Sequence, residues 1–99
     1  MKQTNPFYKS KRWEDKRKTI LRRDQYECRE CRRYGKATAA TMVHHIYPLE
    51  QHPEYKLSSV NLISLCSKCH EKMHTRTNNE LTELGRQWIE RIKDKLEGG

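Results

Sequence analysis

Ninety-nine residues make one domain, near the lower end of what folds unaided. With 33% of residues hydrophobic and 34% charged, the core is too lean to be expected to stand without a staple such as a bound metal. The net charge of +8 favours a polyanionic partner, most simply nucleic acid, and no apolar run approaches the roughly 20 residues needed to cross a bilayer.

Residues 1–9 read as a polar arm with no apolar signal region, so the cytoplasm is the expected compartment. From about residue 10 to 24, Trp13, Arg17, Ile20 and Leu21 follow helical spacing and predict a basic helix with one modest apolar face. Its other face carries Lys11, Arg12, Lys16, Lys18, Arg22 and Arg23, suited equally to solvent or to phosphates. The first Cys-x-x-Cys knuckle, Cys28 and Cys31, follows, and Gly35 suits the tight left-handed turn after it. Thr41 to Ile46 predicts a short strand that Pro48 ends, because proline cannot donate to a ladder. Residues 51–59 read as a loop, and Val60 to Leu65 as a second strand leading into the second knuckle, Cys66 and Cys69. A helix carrying His70 and His74 is expected next. Thr77 and Glu80 have capping-box spacing ahead of an amphipathic helix over about 79–96, built on Leu81, Leu84, Trp88, Ile89, Ile92 and Leu96.

The cysteines and histidines carry the chemistry. In a reducing compartment, paired knuckles favour metal over disulfides, and a two-residue gap lets both sulfurs of a pair reach one ion. Cys28, Cys31, Cys66 and Cys69 are therefore predicted to hold one tetrahedral structural Zn²⁺. The 34 residues between the pairs must form a unit clamped at its base. His70 and His74, four apart, share one face of a helix. His44 and His45 are adjacent, so in a strand they point to opposite sides and only one easily joins that pair. The arrangement read is His44, His70 and His74 as ligands of a second metal with open positions, and His45 as a free imidazole near the substrate. His52, in the loop, reads as an ordinary surface residue.

The residues His44-His45-Ile46-Tyr47-Pro48, then Asn61-Leu62, then Leu65-Cys66-Ser67-Lys68-Cys69-His70 resemble the HNH endonuclease family, in its four-cysteine, zinc-knuckle branch. Leu21 to Cys31 is similar to the lead-in of those members, so the resemblance covers roughly residues 13 to 74. It implies a small α+β fold: a ββα-metal (His-Me finger) core, a four-cysteine structural zinc, and flanking N- and C-terminal helices within a single nuclease domain over 1–99. It further implies His45 as general base, His44 as first metal ligand where relatives often carry aspartate, and His70 as the helical ligand. His74 resembles the extra ligand of members with histidine-rich sites, including the nuclease colicins, which lack the knuckles. Asn61 matches the central asparagine that bonds across the loop and holds the base in orientation. Many relatives come from phages, prophages or mobile elements, which implies a bacterial host cell. Phage-borne ones can act beside the packaging terminase and portal.

Imidazole in place of carboxylate at position 44 shifts the expected catalytic ion from Mg²⁺ toward Mn²⁺, Ni²⁺ or Co²⁺, with Zn²⁺ binding tightly enough there to inhibit. Arg22, Arg23, Arg29, Arg32, Arg33 and Lys36 near the first knuckle, with Lys68 and Lys72 at the second, are the expected DNA-phosphate contacts. No base-reading module is visible, which predicts relaxed sequence preference and nicking of duplex DNA. A catalytically silent zinc-knuckle module that binds nucleic acid is the alternative. The last helix's apolar stripe is expected to serve the core of a monomer.

Overall fold

The computed structural model describes residues 6–75 and 80–97. Helix α1 spans Lys11–Arg23, and Ser10 caps it by accepting from the Trp13 N–H at 3.2 Å. A short helix α2, Arg29–Arg32, sits inside the first knuckle, with the Cys28 sulfur accepting from the Cys31 N–H. Strands β1, Met42–His45, and β2, Leu62–Leu65, form a two-stranded antiparallel sheet in which His44 faces Ile63 and His45 faces Leu62. Helix α3, Ser67–Glu71, carries the second knuckle, and helix α4, Glu83–Glu97, closes the order.

The two faces of the sheet bury different partners, as period-2 alternation requires. Leu62 and Val43 face α1 and join Trp13, Ile20 and Phe7. Ile63 and Leu65 face the other way, into a larger cluster holding Cys28, Cys66, Cys69, Met73, Trp88 and Ile92. The knuckles are thus part of the core, and a metal there would staple it from within. The α4 stripe is buried as expected: Trp88 and Ile92 lie in this core, with Leu84, Ile89 and Leu96 packed against it.

Four expectations need correction. The residues Pro6–Lys9 form a 3₁₀ turn whose Phe7 and Tyr8 rings pack near Trp13, so that part of the arm is docked. Aromatic stacking outweighed the polar composition around it. Helix α3 ends at Glu71, so His70 is helical but His74 lies beyond it, bridged to Leu81 in an isolated antiparallel pair. Helix α4 starts at Glu83, with the Thr82 hydroxyl accepting from the Gly85 N–H at 3.3 Å; Thr82 is the cap here, while the expected cap at Thr77 falls outside the described residues. Finally, residues 51–59 are not structureless, because Pro53–Tyr55 makes a 3₁₀ turn.

Gly85 allows α4 to approach the chain after α3. A Cβ there would lie 2.7 Å from the Met73 carbonyl and 2.8 Å from Leu81 Cδ2. Alanine favours a helix over glycine by about 1 kcal/mol, but overpacking costs about 1–3 kcal/mol. The clashing atom is backbone, so the clash wins. Gly85→Ala should lower the midpoint of a chemical denaturation curve; a raised midpoint would show that this contact yields.

Candidate metal centre and histidine cluster

The four cysteines are brought together as expected. Their sulfurs all lie within 4.8 Å of one another, and no disulfide joins them. Cys31 Sγ is 3.9 Å from Cys66 Sγ and 3.7 Å from Cys69 Sγ. A tetrahedral zinc with bonds of about 2.3 Å separates its sulfurs by about 3.8 Å, so the geometry fits that ion. Burial and the neighbouring sulfurs push the Cys69 thiol up. At Cys66 burial acts the same way, but hydrogen bonds from Cys69, Cys28 and Cys31 outweigh it and bring the thiol to about 7. A cation relieves that competition by favouring all four thiolates.

Glu30, inside the first knuckle, is buried and accepts from Trp88 Nε1 at 3.0 Å and from Arg33 at 2.9 Å. This ties the knuckle to α4.

His44 projects from the core face of β1 toward the end of α3. Its ring centroid is 5.5 Å from that of His70 and 5.5 Å from that of His74, while His70 and His74 are 6.4 Å apart. Three imidazoles bound to one tetrahedral ion place their ring centres roughly 5–6 Å apart. The three rings are thus gathered around one point, with His70–His74 the widest pair, though among the described residues only the four cysteines already hold their ligand atoms within 4.8 Å of one another. His44 is 2% exposed, and its Nε2 is buried without a hydrogen-bond partner. An orphaned buried nitrogen costs free energy unless something completes it, and a metal would. Burial, helped by the nearby charges of His70, His74 and His45, pushes His44 down to about 3, leaving the neutral form that ligates.

His45 points to the opposite face, as adjacent strand residues must. It stacks on Trp13 with centroids 4.8 Å apart, and its Nε2 lies 3.1 Å from the Lys56 carbonyl. A carbonyl oxygen only accepts, so Nε2 carries the proton and the lone pair of the neutral ring is on Nδ1. Burial holds His45 below the usual histidine range, against the opposing Lys56 bond, and keeps it neutral. Asn61, fully buried, braces the loop that supplies Lys56. Its Oδ1 accepts from the Tyr47 N–H at 2.7 Å, and its Nδ2 donates to the carbonyls of Tyr47 and Tyr55 at 3.2 and 3.3 Å.

The basic residues divide. Arg23 donates to Asp24 and to the Ser59 and Leu62 carbonyls, Arg29 donates to Asp24, and Arg32 donates to the Asp24 carbonyl and to Glu27. Arg33 pairs with Glu30. Asp24 also accepts from the Ser64 N–H at 3.0 Å, pinning the end of α1 to β2. Burial alone would raise the Asp24 carboxyl; the Arg23 and Ser64 hydrogen bonds outweigh it and hold it below the usual range. These four arginines brace the fold through their hydrogen bonds while staying partly or fully exposed, and Arg22, Lys36, Lys68 and Lys72 are exposed as well. The surroundings of His45 were not singled out from sequence. Phe7 and Tyr8, close before Trp13, were an available signal; the Lys56 carbonyl was not, because any residue has one.

A four-cysteine knuckle pair beside a strand–loop–strand–helix unit, with two half-buried histidines gathered on the buried His44, defines a small α+β domain built to bind metal. The family model for HNH endonuclease matches residues 28–76. The crystal structure of the HNH endonuclease of the deep-sea thermophilic bacteriophage GVE2, with manganese ion, is similar at 42% identity and a TM-score of 0.65, covering 66% of this chain and 71% of that one. No curated protein matches. The chain belongs to the HNH endonuclease family.

Proposed function

We propose that the chain is a divalent-metal-dependent endodeoxyribonuclease that nicks duplex DNA with relaxed sequence preference. The observation that carries this reading is the buried, unpartnered Nε2 of His44 facing His70 and His74, with a neutral His45 on the other side of the same strand. Among the described residues β1 pairs only with β2, which leaves its other edge unpaired by a strand, between the two faces that carry these rings. A phosphodiester lying along that edge would meet both. His45 takes a proton from the attacking water at Nδ1 while its Nε2–H stays on Lys56. Asn61 holds the loop that presents this carbonyl. His44, His70 and His74 would hold the catalytic ion. That ion supplies charge stabilisation for the phosphorane and the leaving 3′ oxygen. Cys28, Cys31, Cys66 and Cys69 hold the structural zinc.

Arg22, Lys36, Lys68 and Lys72 supply phosphate contacts; Arg23, Arg29, Arg32 and Arg33 add charge from braced positions. The nuclease unit is one domain over 1–99 with its core at 13–74. It acts as a monomer, since the α4 stripe is spent in the core, in the cytoplasm of a bacterial host. A phage-type packaging terminase is the partner that the family likeness suggests. Manganese in the phage structure agrees with a preference for Mn²⁺, Ni²⁺ or Co²⁺ over Mg²⁺ alone, with Zn²⁺ at the histidine site inhibiting. One observation favours the rival reading, a silent zinc-knuckle nucleic-acid-binding module: His45 is only 5% exposed.

Nicking of supercoiled plasmid decides between them. Protein keeping its structural zinc is given Mg²⁺, Mn²⁺, Ni²⁺ or Co²⁺ separately. The expected result is nicked or linear product, fastest with Mn²⁺, Ni²⁺ or Co²⁺. No product with any ion, from protein that still binds DNA, sinks the nuclease reading.

A further inference from the structure

We infer that the turn Pro6–Lys9 is a latch over His45, closed by Tyr8, and that arrival of DNA lifts it; this rests on the assignment of His45 as general base. In the structure both ring nitrogens of His45 face a protein group. Nε2 must donate to the Lys56 carbonyl, and the Tyr8 hydroxyl stands 3.5 Å from Nδ1, the nitrogen with the lone pair. A base needs that lone pair to face water. The Phe7 and Tyr8 rings meet His45 edge-on, with centroids 6.2 and 5.8 Å away, and Trp13 covers its flat face. These rings account for the near-complete burial of a residue whose role requires solvent.

The cover is lightly held. None of the residues Pro6–Lys9 is buried, and Tyr8 itself is 39% exposed. Its moorings include the ring contacts of Phe7 and of Tyr8 with Trp13, each at 5.5 Å, the Lys56 ammonium 5.4 Å from the Phe7 ring, and the Phe7 carbonyl, which accepts from the Ser10 hydroxyl at 2.7 Å and the Ser10 N–H at 3.0 Å. By contrast, the Lys56 side of His45 is braced by Asn61. A cleft of about 400 Å³ opens beside the latch, lined by Tyr8, Trp13, Glu14, Arg17 and Lys18. Lys18, beside Arg17, which donates to the Thr41 carbonyl, draws a phosphate into the cleft, where it competes with Tyr8 for space, and Tyr8 swings aside by giving up its edge contact with Trp13. The resting protein is then closed, and the base is exposed only where DNA already lies.

The test follows ethoxyformylation of His45, located by fragment-ion mass spectrometry, in the zinc-loaded full chain, in Tyr8→Phe and in Tyr8→Ala. The reagent attacks an unprotonated imidazole nitrogen, so it reads the cover without needing cleavage. Modification of His45 should rise several-fold in Tyr8→Ala and by less in Tyr8→Phe, which keeps the ring and the packing. Plasmid nicking at sub-saturating DNA should rise in the same order through a lower KM for DNA, with kcat little changed. Equal modification rates in all three proteins overturn the latch. So does faster modification with slower nicking, which would make Tyr8 a positioning residue. If none of the three nicks DNA with any ion, the modification rates still decide the cover, and the silence counts against the proposed function alone.

Discussion

Replacing Cys28 with serine is expected to unfold the protein at ordinary temperature. Cys28 is fully buried, its sulfur accepts from the Cys31 N–H, and it sits in the same apolar cluster as Ile63, Leu65, Met73 and Trp88. Removing its thiolate takes away one of four metal bonds and leaves a hydroxyl in a dry core. Apparent binding energies of structural zinc are on the order of 10 kcal/mol, comparable with the whole stability of a small domain, about 5–15 kcal/mol. The other stabilising terms are too small to compensate. The Asp24 cluster joins α1 to β2 through partly exposed arginines, and such pairs contribute on the order of 1 kcal/mol or less each. Circular dichroism of Cys28→Ser should therefore show lost helix signal, with bound zinc well below one per chain. Treating the wild type with a strong chelator should reproduce it. A chelated protein that keeps its cooperative melt would show that the core stands without metal.

The sequence showed most clearly those features that depend on residue identity at fixed spacing. The knuckles were legible because thiolate pairs two residues apart have few other uses. Helices α1 and α4 were legible because their apolar residues keep a helical period, and the strands because short β-prone runs end at Pro48 or lead straight into the second knuckle. The separation of His44 from His45 followed from the pleat alone. What was hidden depended on backbone groups or on sites of similar local cost. The end of α3 before His74 is set by pairing of the segment around His74 with that around Leu81, a long-range bond without a local signature. Helix α4 starts at Glu83, where the Thr82 hydroxyl accepts from the Gly85 N–H and also reaches the Lys72 carbonyl, a backbone partner that no residue pattern announces. The arginines around the first knuckle look like a phosphate surface in sequence. In the structure Asp24, only 2% exposed, gathers three of them: its carboxylate takes Arg23 and Arg29, because a buried carboxylate requires partners, and its backbone carbonyl takes Arg32.

His45→Gln should abolish cleavage while leaving the fold and the metal sites in place. Glutamine is the better first substitution than alanine, because it retains an N–H able to reach the Lys56 carbonyl and enough bulk to keep contact with Trp13. Alanine would leave that carbonyl without its donor and the indole without its stacked ring, so lost activity could reflect a loosened loop. What glutamine lacks is a basic lone pair. General-base catalysis by a positioned side chain is worth about 10²–10⁴-fold, so the nicking rate should fall by that factor. The companion variant is His44→Ala. His44 faces His70 and His74 on the other side of β1, so its loss should weaken binding of the exchangeable ion and raise the Mn²⁺ concentration needed for half-maximal rate. His45→Gln should leave that concentration unchanged. Two rings on adjacent residues thus give separable defects, one in rate at saturating metal and one in metal affinity. A His45→Gln protein that nicks at the wild-type rate would remove His45 from the chemistry, whatever the fate of the metal sites.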